Sequence, residues 1–148
     1  MNMTGATIRA GTGDDFEAIS KIYTGPGDGP LDHFADVERM RKIPVEGWLV
    51  AEVDGSIVGF LYWFRHRNPW WEPEVDEYVD IQELHVEEAY RRRGIGRALV
   101  DHAVEEARER GIRTVFIDTS DDNTAARRLY EGAGFREQFR DVHYKLVL

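Results

Sequence analysis

The chain has 148 residues, a formal net charge of −9 and no cysteine. This length predicts one domain, residues 1–148, with enough core to fold without cross-links. The missing cysteines exclude disulfides, thiolate metal sites and a cysteine nucleophile, and the acidic balance argues against a nucleic-acid partner. No apolar run approaches the ~20 residues of a membrane span and no signal pattern opens the chain, so we expect a cytoplasmic protein without a membrane partner.

The first half of the sequence predicts a strand, two helices and a β-hairpin. The strand covers residues 7–10, the helices cover 14–23 and 31–43 on either side of a glycine–proline break at 25–30, and the hairpin strands cover 48–53 and 57–64 around Asp54-Gly55.

The second half predicts a strand–helix–strand unit followed by a short helix and a closing pair of strands. In order, these are a polar loop at 65–76, a strand at 78–86, a helix at 95–110 that stops at Gly111, a strand at 114–118, a helix at 124–131 and strands within 135–148. The mixture predicts an α/β (α+β) fold built on one mixed sheet.

An arginine- and glycine-rich loop stands where the helix at 95–110 begins, in "AYRRRGIGRALV". The first N–H groups of a helix lie at the positive end of its dipole, and glycines let an anion approach them closely. The loop lacks the Gly-Lys-Ser/Thr of a P-loop, and Leu99 stands where a dinucleotide fingerprint needs its third glycine. The pattern therefore predicts a phosphate site of another kind. The alternative is a solvated helix start.

Two motifs carry a resemblance to a known family. Arg91-x-x-Gly94-x-Gly96, after a strand and opening a helix, resembles the acetyl-CoA signature (Gln/Arg-x-x-Gly-x-Gly/Ala) of the GNAT superfamily of N-acetyltransferases. "NTAARRLYEGAGF" resembles the family's second signature through Asn123, Ala126, Tyr130, Gly134 and Phe135. The resemblance implies a mostly antiparallel sheet splayed between two parallel strands, helices on both faces, and acetyl-CoA in the gap without a metal.

The resemblance also assigns roles to residues. The N–H groups from Arg92 to Arg97 would hold the diphosphate, the strand backbone would pair with the pantetheine arm, and Asn123 would touch the far arm of the cofactor. The residues so implied are Leu84, His85, Val86, Arg91, Arg92, Arg93, Gly94, Ile95, Gly96, Arg97, Asn123 and Ala126. Tyr130 occupies the place of the family's thiol-protonating tyrosine. On local evidence alone it would be a packing residue.

The general base stays open between four readings. Glu83 lies where some relatives carry a carboxylate, Asp118 lies where relatives acting on protein N-termini carry a glutamate, His85 titrates near neutrality, and solvent can take the proton. Strand alternation puts Glu83 and His85 opposite Gln82 and Leu84 unless a bulge intervenes, and this strand often carries one in the family.

The amine acceptor is predicted from the loop "RHRNPWWEPEVDEYVD", residues 65–80, which borders the acceptor cleft in this family. Trp70 and Trp71 stand among five carboxylates, a combination that suits a cationic amine. A polyamine, an aminoglycoside-like amine, a peptide N-terminus and an amino acid are the acceptor classes left open. Asp28 and Asp32 would line the other wall. The alternative is a solvated acidic loop.

The leading prediction is an N-acetyltransferase, and the alternative is a non-catalytic acyl-CoA-binding regulatory module. A homodimer is left open. The remaining histidines, His33, His66, His102 and His143, are scattered and suggest no metal cluster.

Overall fold

A computed structural model describes residues 4–23, 36–42 and 46–148. It divides the chain into two compact units, Met1–Asp118 and Thr119–Leu148. Within the described residues, no helix has the length and apolar character needed to cross a membrane. The first unit carries the sheet and most of the helices.

The first unit is a five-stranded sheet with helices packed on it. Its elements are β1 (Thr7–Ala10), a 3-10 turn (Gly13–Asp15), α1 (Phe16–Ile22), α2 (Val37–Met40), β2 (Trp48–Val53), β3 (Ser56–Arg67), β4 (Glu77–Val86), a second 3-10 turn (Glu88–Tyr90), α3 (Ile95–Glu109) and β5 (Val115–Ile117). The strands lie in sequence order, each pair antiparallel except β4 and β5, which are parallel. The predicted strand–helix–strand unit is therefore confirmed as β4–α3–β5.

Helices cover both faces of this sheet. On one face, Phe16, Ile19 and Ile22 of α1 join a buried cluster with Phe60 and Tyr62 of β3. On the other face, α3 buries its apolar stripe, which comprises Ile95, Leu99, Val100, Ala103 and Ala107. This arrangement follows from the helical period of the apolar positions in α1 and α3 and the period of two along β3.

Gly59 lets α3 approach the end of β4 closely. A Cβ atom at this position would lie 3.1 Å from the His85 carbonyl oxygen, 3.3 Å from Val86 Cγ2 and 3.5 Å from Leu99 Cδ1. Only a residue without a side chain avoids that crowding, so Gly59 fixes how near the start of α3 comes to the last residues of β4.

An ion pair holds the start of α1 to the sheet. Arg9 of β1 donates two hydrogen bonds of 2.9 Å to the Asp15 carboxylate, and the Thr12 N–H donates a third to the same group. These donors lower the pKa of Asp15, with Arg9 contributing most. The carboxylate therefore stays charged and keeps α1 at a fixed place on its face.

Two predictions about elements need correction. β3 runs three residues beyond its predicted end, because Arg65, His66 and Arg67 pair with Val79, Tyr78 and Glu77. The closing strands predicted within 135–148 are wrong, since no residue of that segment lies in a strand or helix. Alternation of apolar residues favours a strand only where a pairing edge and a surface to cover are at hand.

Some predictions lie outside the described residues. The break at 25–30 and positions 31–35 and 43 of the second predicted helix belong to this group, as do Asp28 and Asp32, whereas Val37–Met40 is helical. The second unit contains α4 (Thr124–Gly132), close to the predicted 124–131. The assignment of residues 1–148 to one domain stays a prediction.

Candidate functional site

The start of α3 presents its backbone N–H groups outward. Gly94 caps the helix with φ +81°, a left-handed conformation that glycine adopts at little cost. The first helical hydrogen bond runs from the Ala98 N–H to the Gly94 carbonyl, so the N–H groups of Ile95, Gly96 and Arg97 have no acceptor inside the helix. This geometry is that of an anion-binding helix start.

The arginines around this start carry mostly uncompensated charge. Arg91 donates to the Val86 carbonyl at 3.0 Å, Arg93 lies 5.0 Å from the centroid of the Tyr90 ring, and Arg97 forms an exposed ion pair with Asp101. Across the described ranges, no ion pair involves Arg91, Arg92 or Arg93. Three exposed guanidinium groups without carboxylates, in a chain of net charge −9, favour an anionic ligand over a merely solvated helix start.

The edge of β4 next to this loop is open. β5 pairs with β4 only at Val79, Asp80 and Ile81, while β4 continues to Val86 with β3 on its other side. Among the described strands, none pairs with this edge from Glu83 to Val86. An extended group could therefore bind its backbone as an added strand.

A β-bulge sets which side chains of β4 share a face. Tyr62 and Trp63 are consecutive in β3, yet they oppose Glu83 and Ile81, so Gln82 is the extra residue in β4. Asp80, Glu83 and His85 consequently oppose Phe64, Tyr62 and Phe60, respectively. All three polar residues lie on the face that α1 covers, which answers the question that alternation left open.

Glu83 and His85 are in direct contact on this face. His85 Nε2 lies 2.5 Å from Glu83 Oε2, with side-chain exposures of 18% and 22%. The His85 ring stacks on Phe60 at 5.1 Å between centroids, and the Tyr23 ring meets it edge-on at 5.0 Å. The two residues predicted as alternative bases thus form one hydrogen-bonded pair.

Asp80, which the sequence places among the five carboxylates of the loop 65–80, lies in β4 on this same face. Burial and the nearby charge of Asp118 raise the pKa of Asp80 to about 6, although a hydrogen bond from Gln82 acts in the opposite direction. Asp118 follows β5 directly, so the β4–β5 junction brings these two carboxylates together. An aspartate flanked by the apolar residues Tyr78, Val79 and Ile81 in a predicted strand was the available signal.

One tryptophan of the predicted acceptor loop joins an aromatic group beside these carboxylates. Trp71 lies 5.3 Å from the Phe116 ring and 6.0 Å from the Tyr78 ring. Trp70 is 79% exposed, and Glu74 and Asp76 are exposed as well. Trp71 is therefore the better placed of the two for an acceptor.

The second motif has a local structural role in its own unit. Asn123 caps α4, since its Oδ1 accepts the Ala126 N–H at 3.1 Å. The Phe135 N–H donates to the Tyr130 carbonyl, and their rings lie 6.2 Å apart. Helix capping alone would account for Asn123 and Ala126. The cofactor contacts of these residues and the acid role of Tyr130 stay predictions.

In the described part of the chain, no cluster of three or more histidine, aspartate or glutamate residues could hold a metal.

Comparison with known proteins decides the family. The model of the "Acetyltransferase (GNAT) family" matches residues 16–135. The chain belongs to this GNAT family. The resemblance drawn from the two motifs is confirmed, and with it the placement among the acyltransferases, whose GNAT members use acetyl-CoA.

Curated relatives support the same family. An uncharacterized N-acetyltransferase of Methanocaldococcus jannaschii is 30% identical over 144 residues, which cover 89% of this chain and 61% of the relative. The ribosomal protein bS18-alanine N-acetyltransferase of Escherichia coli K12 is 42% identical over 52 residues, 35% of each chain. The GNAT chain thus spans less than two thirds of the length of these relatives.

Solved structures share the fold. An aminoglycoside N-acetyltransferase, AAC(6')-Iy, in complex with CoA superposes with a TM-score of 0.78 at 22% identity, over 95% of this chain and 94% of that one. Ard1 from Thermoplasma volcanium superposes with a TM-score of 0.71 at 25% identity, over 91% and 85%. The predicted fold class, a mixed and mostly antiparallel sheet with helices, is confirmed.

Proposed function

We propose that this GNAT chain is an acetyl-CoA-dependent N-acetyltransferase that acetylates a primary amine of a cationic acceptor by direct attack on the thioester. The observation that carries the proposal is the continuity of the open β4 edge with the anion-binding start of α3. An extended arm along β4 would lead directly to a diphosphate at residues 92–97. Family membership of residues 16–135 supports the reaction class.

The residues present fit acetyl-CoA. The outward N–H groups of α3 and the uncompensated guanidinium groups of Arg91, Arg92 and Arg93 match a diphosphate. The backbone of Leu84, His85 and Val86 would hold the pantetheine arm as an added strand. When bound, the cofactor supplies a reactive acetyl thioester close to the polar face of β4.

The chain itself performs two proton transfers in this proposal. A carboxylate of β4, Glu83, accepts the proton that the acceptor ammonium must lose before it attacks. Tyr130 donates a proton to the departing thiolate, as the second motif implies. The bulge at Gln82 supports the first assignment, because it turns Glu83 toward the face shared by Asp80 and His85.

The acceptor is proposed to carry a second positive charge. Asp80, Glu83 and Asp118 place negative charge around the β4–β5 junction, and the ring of Trp71 lies beside it. Acidic surroundings hinder deprotonation of the reacting amine. The gain in acceptor binding must therefore come from a second positive charge that the acceptor keeps throughout the reaction. A polyamine or an aminoglycoside-like amine fits this requirement. The name of the CoA-bound structural neighbour, an aminoglycoside N-acetyltransferase, points the same way.

The acceptor proposal is tested with a matched pair of amines, one monocationic and one dicationic, at saturating acetyl-CoA. We expect the Asp80→Asn/Asp118→Asn double variant to raise KM for the diamine about tenfold, or about 1.4 kcal/mol, and to leave KM for the monoamine within about twofold. The comparison variant neutralises Glu72, Glu74 and Asp76 of the loop. A larger increase of KM for the diamine in the loop variant would mean that the loop carboxylates bind the second charge of the acceptor. If neither variant changed the ratio of KM between the two amines, the proposal would be refuted.

We further propose that the chain forms a homodimer through its last residues. Val142, Tyr144, Leu146 and Leu148 are exposed, Tyr144 to 93%, and an apolar surface of this kind is typical of a contact between proteins. Light scattering at micromolar concentration should give twice the chain mass. A monomer mass would contradict the dimer and leave the enzymatic proposal untouched.

A further inference from the structure

His85 has a side chain whose orientation is fixed by its neighbours. Its imidazole stacks on Phe60 at an interplanar angle of 18°, and Tyr23 closes on it edge-on at 66°. Both rings belong to elements outside the two family motifs, since Phe60 lies in β3 and Tyr23 follows α1. Aromatic contacts of this kind restrict rotation of the imidazole ring and leave the nitrogen atoms at its edge able to form hydrogen bonds.

The partner of that ring edge is Glu83. His85 Nε2 and Glu83 Oε2 are in direct hydrogen-bonding contact, and a hydrogen bond to a carboxylate is charge-assisted. Residues two apart on a regular strand share a face, but the bulge at Gln82 decides that this face is the one under α1, where Phe60 and Tyr23 are found. His85 engages one oxygen of the Glu83 carboxylate. In the part of the chain that the structure describes, no group donates a hydrogen bond to the other oxygen, which can therefore accept a proton.

We infer that His85 is a positioning residue for the proposed base: the Phe60 and Tyr23 rings hold its imidazole, and the imidazole holds Glu83 in the orientation that accepts the amine proton. The inference rests on the proposed function of Glu83. In the step concerned, an N–H bond of the acceptor ammonium breaks, its electron pair stays on nitrogen, and the proton bonds to the second carboxylate oxygen of Glu83. His85 keeps its hydrogen bond to the first oxygen throughout. The His85 side chain acts through Glu83 and does not touch the acceptor amine.

This arrangement makes the effects of the two residues non-additive. If His85 acts only through the Glu83 carboxylate, its removal matters only while that carboxylate is present. A residue that merely supports the fold would add its cost in either background. A double-mutant cycle therefore separates positioning from structure.

The experiment measures kcat and KM for both substrates in Glu83→Gln, His85→Phe, His85→Gln and the double variant Glu83→Gln/His85→Phe. We expect His85→Phe to lower kcat about tenfold or more, with KM for acetyl-CoA within about twofold. His85→Gln, whose amide can still donate to Glu83, should recover most of the rate, and the double variant should be no slower than Glu83→Gln. His66→Phe is the matched control, because His66 contacts the rings of Phe64 and Tyr78 on the same strand pair.

Each outcome has a separate meaning. Full turnover by Glu83→Gln would overturn the proposed base, whatever His85 does. A slow Glu83→Gln combined with an unaffected His85→Phe, or with multiplicative losses in the double variant, would overturn the positioning role alone. Should His85→Phe fail to fold, Tyr23→Leu replaces it, with an expected loss of severalfold in kcat that disappears in the Glu83→Gln background.

Discussion

The Tyr130 hydroxyl is the proposed acid that protonates the departing thiolate. Tyr130→Phe removes only the hydroxyl, so we expect kcat to fall by about tenfold to a hundredfold while the affinity for acetyl-CoA stays the same. Steady-state kinetics by thiol release measures this. Tyr144→Phe, at an exposed tyrosine of the same unit, is the control, because it removes a hydroxyl and keeps the ring that the proposed dimer contact uses. Full turnover by Tyr130→Phe would remove the hydroxyl from the mechanism.

Asp80 predicts a pH dependence of stability. Because its pKa is raised to about 6, the native state binds its proton more tightly than the unfolded state, and the free energy of unfolding falls as pH rises from about 4 to about 6. Asp80→Asn should therefore be more stable than wild type by about 1 to 2 kcal/mol at about pH 8 and nearly equal to it at about pH 4. Urea unfolding at both pH values measures the difference.

The exposed Asp76 supplies the control for that measurement. Asp76→Asn should leave the free energy of unfolding unchanged at both pH values, since surface carboxylates gain little from their surroundings. If Asp80→Asn were less stable than wild type at about pH 8, burial would not be what raises the pKa of Asp80.

At the residue scale, the sequence identified Glu83 and His85 as candidates but left their direction open. The bulge at Gln82 depends on how β3 and β4 align over their whole length, and a single strand's alternation carries no information about an extra residue. The sequence placed Asp80 only among the loop carboxylates for a related reason. Its partner Asp118 is distant in sequence, and the two meet only because β5 pairs in parallel with β4.

At the scale of elements, the start of α3 carries the cofactor proposal. Arg92→Gln/Arg93→Gln removes two guanidinium charges and leaves the helix in place, so we expect the affinity for CoA to fall about tenfold or more and the salt dependence of binding to weaken. Calorimetric titration with CoA measures both effects. Arg108→Gln is the matched control, because Arg108 lies in the last turn of α3 and pairs with Glu105. Unchanged affinity in the double variant would mean that the diphosphate binds elsewhere.

Elements with a strong period were predicted nearly to the residue. The helix at 95–110 is α3 at Ile95–Glu109, because its apolar residues recur at helical spacing and Gly111 takes the left-handed conformation that ends it. The segment 135–148 shows the opposite case. Its alternation resembles a strand, but strand formation depends on a pairing edge that the local sequence does not encode.

At the scale of the whole molecule, two local concentrations of charge have opposite sign. The chain is strongly acidic, yet Arg91, Arg92 and Arg93, which are exposed and form no ion pair with any described residue, stand together at one helix start. The carboxylates of Asp80 and Asp118 meet at the β4–β5 junction. An anionic cofactor and a cationic acceptor would each meet the complementary charge. The two concentrations of charge are therefore compatible with the proposed reaction between an anionic cofactor and a cationic amine.

The most direct test of the central claim is one reaction of the unmodified chain with acetyl-CoA and a dicationic amine, followed for free thiol and for the mass of the amine. We predict that one thiol is released for each acetyl group gained by the amine, and that little thiol is released when the amine is left out. Tight binding of acetyl-CoA with no acetylated product from any monocationic, dicationic or peptide amine would contradict the account and identify a non-catalytic acyl-CoA-binding module instead.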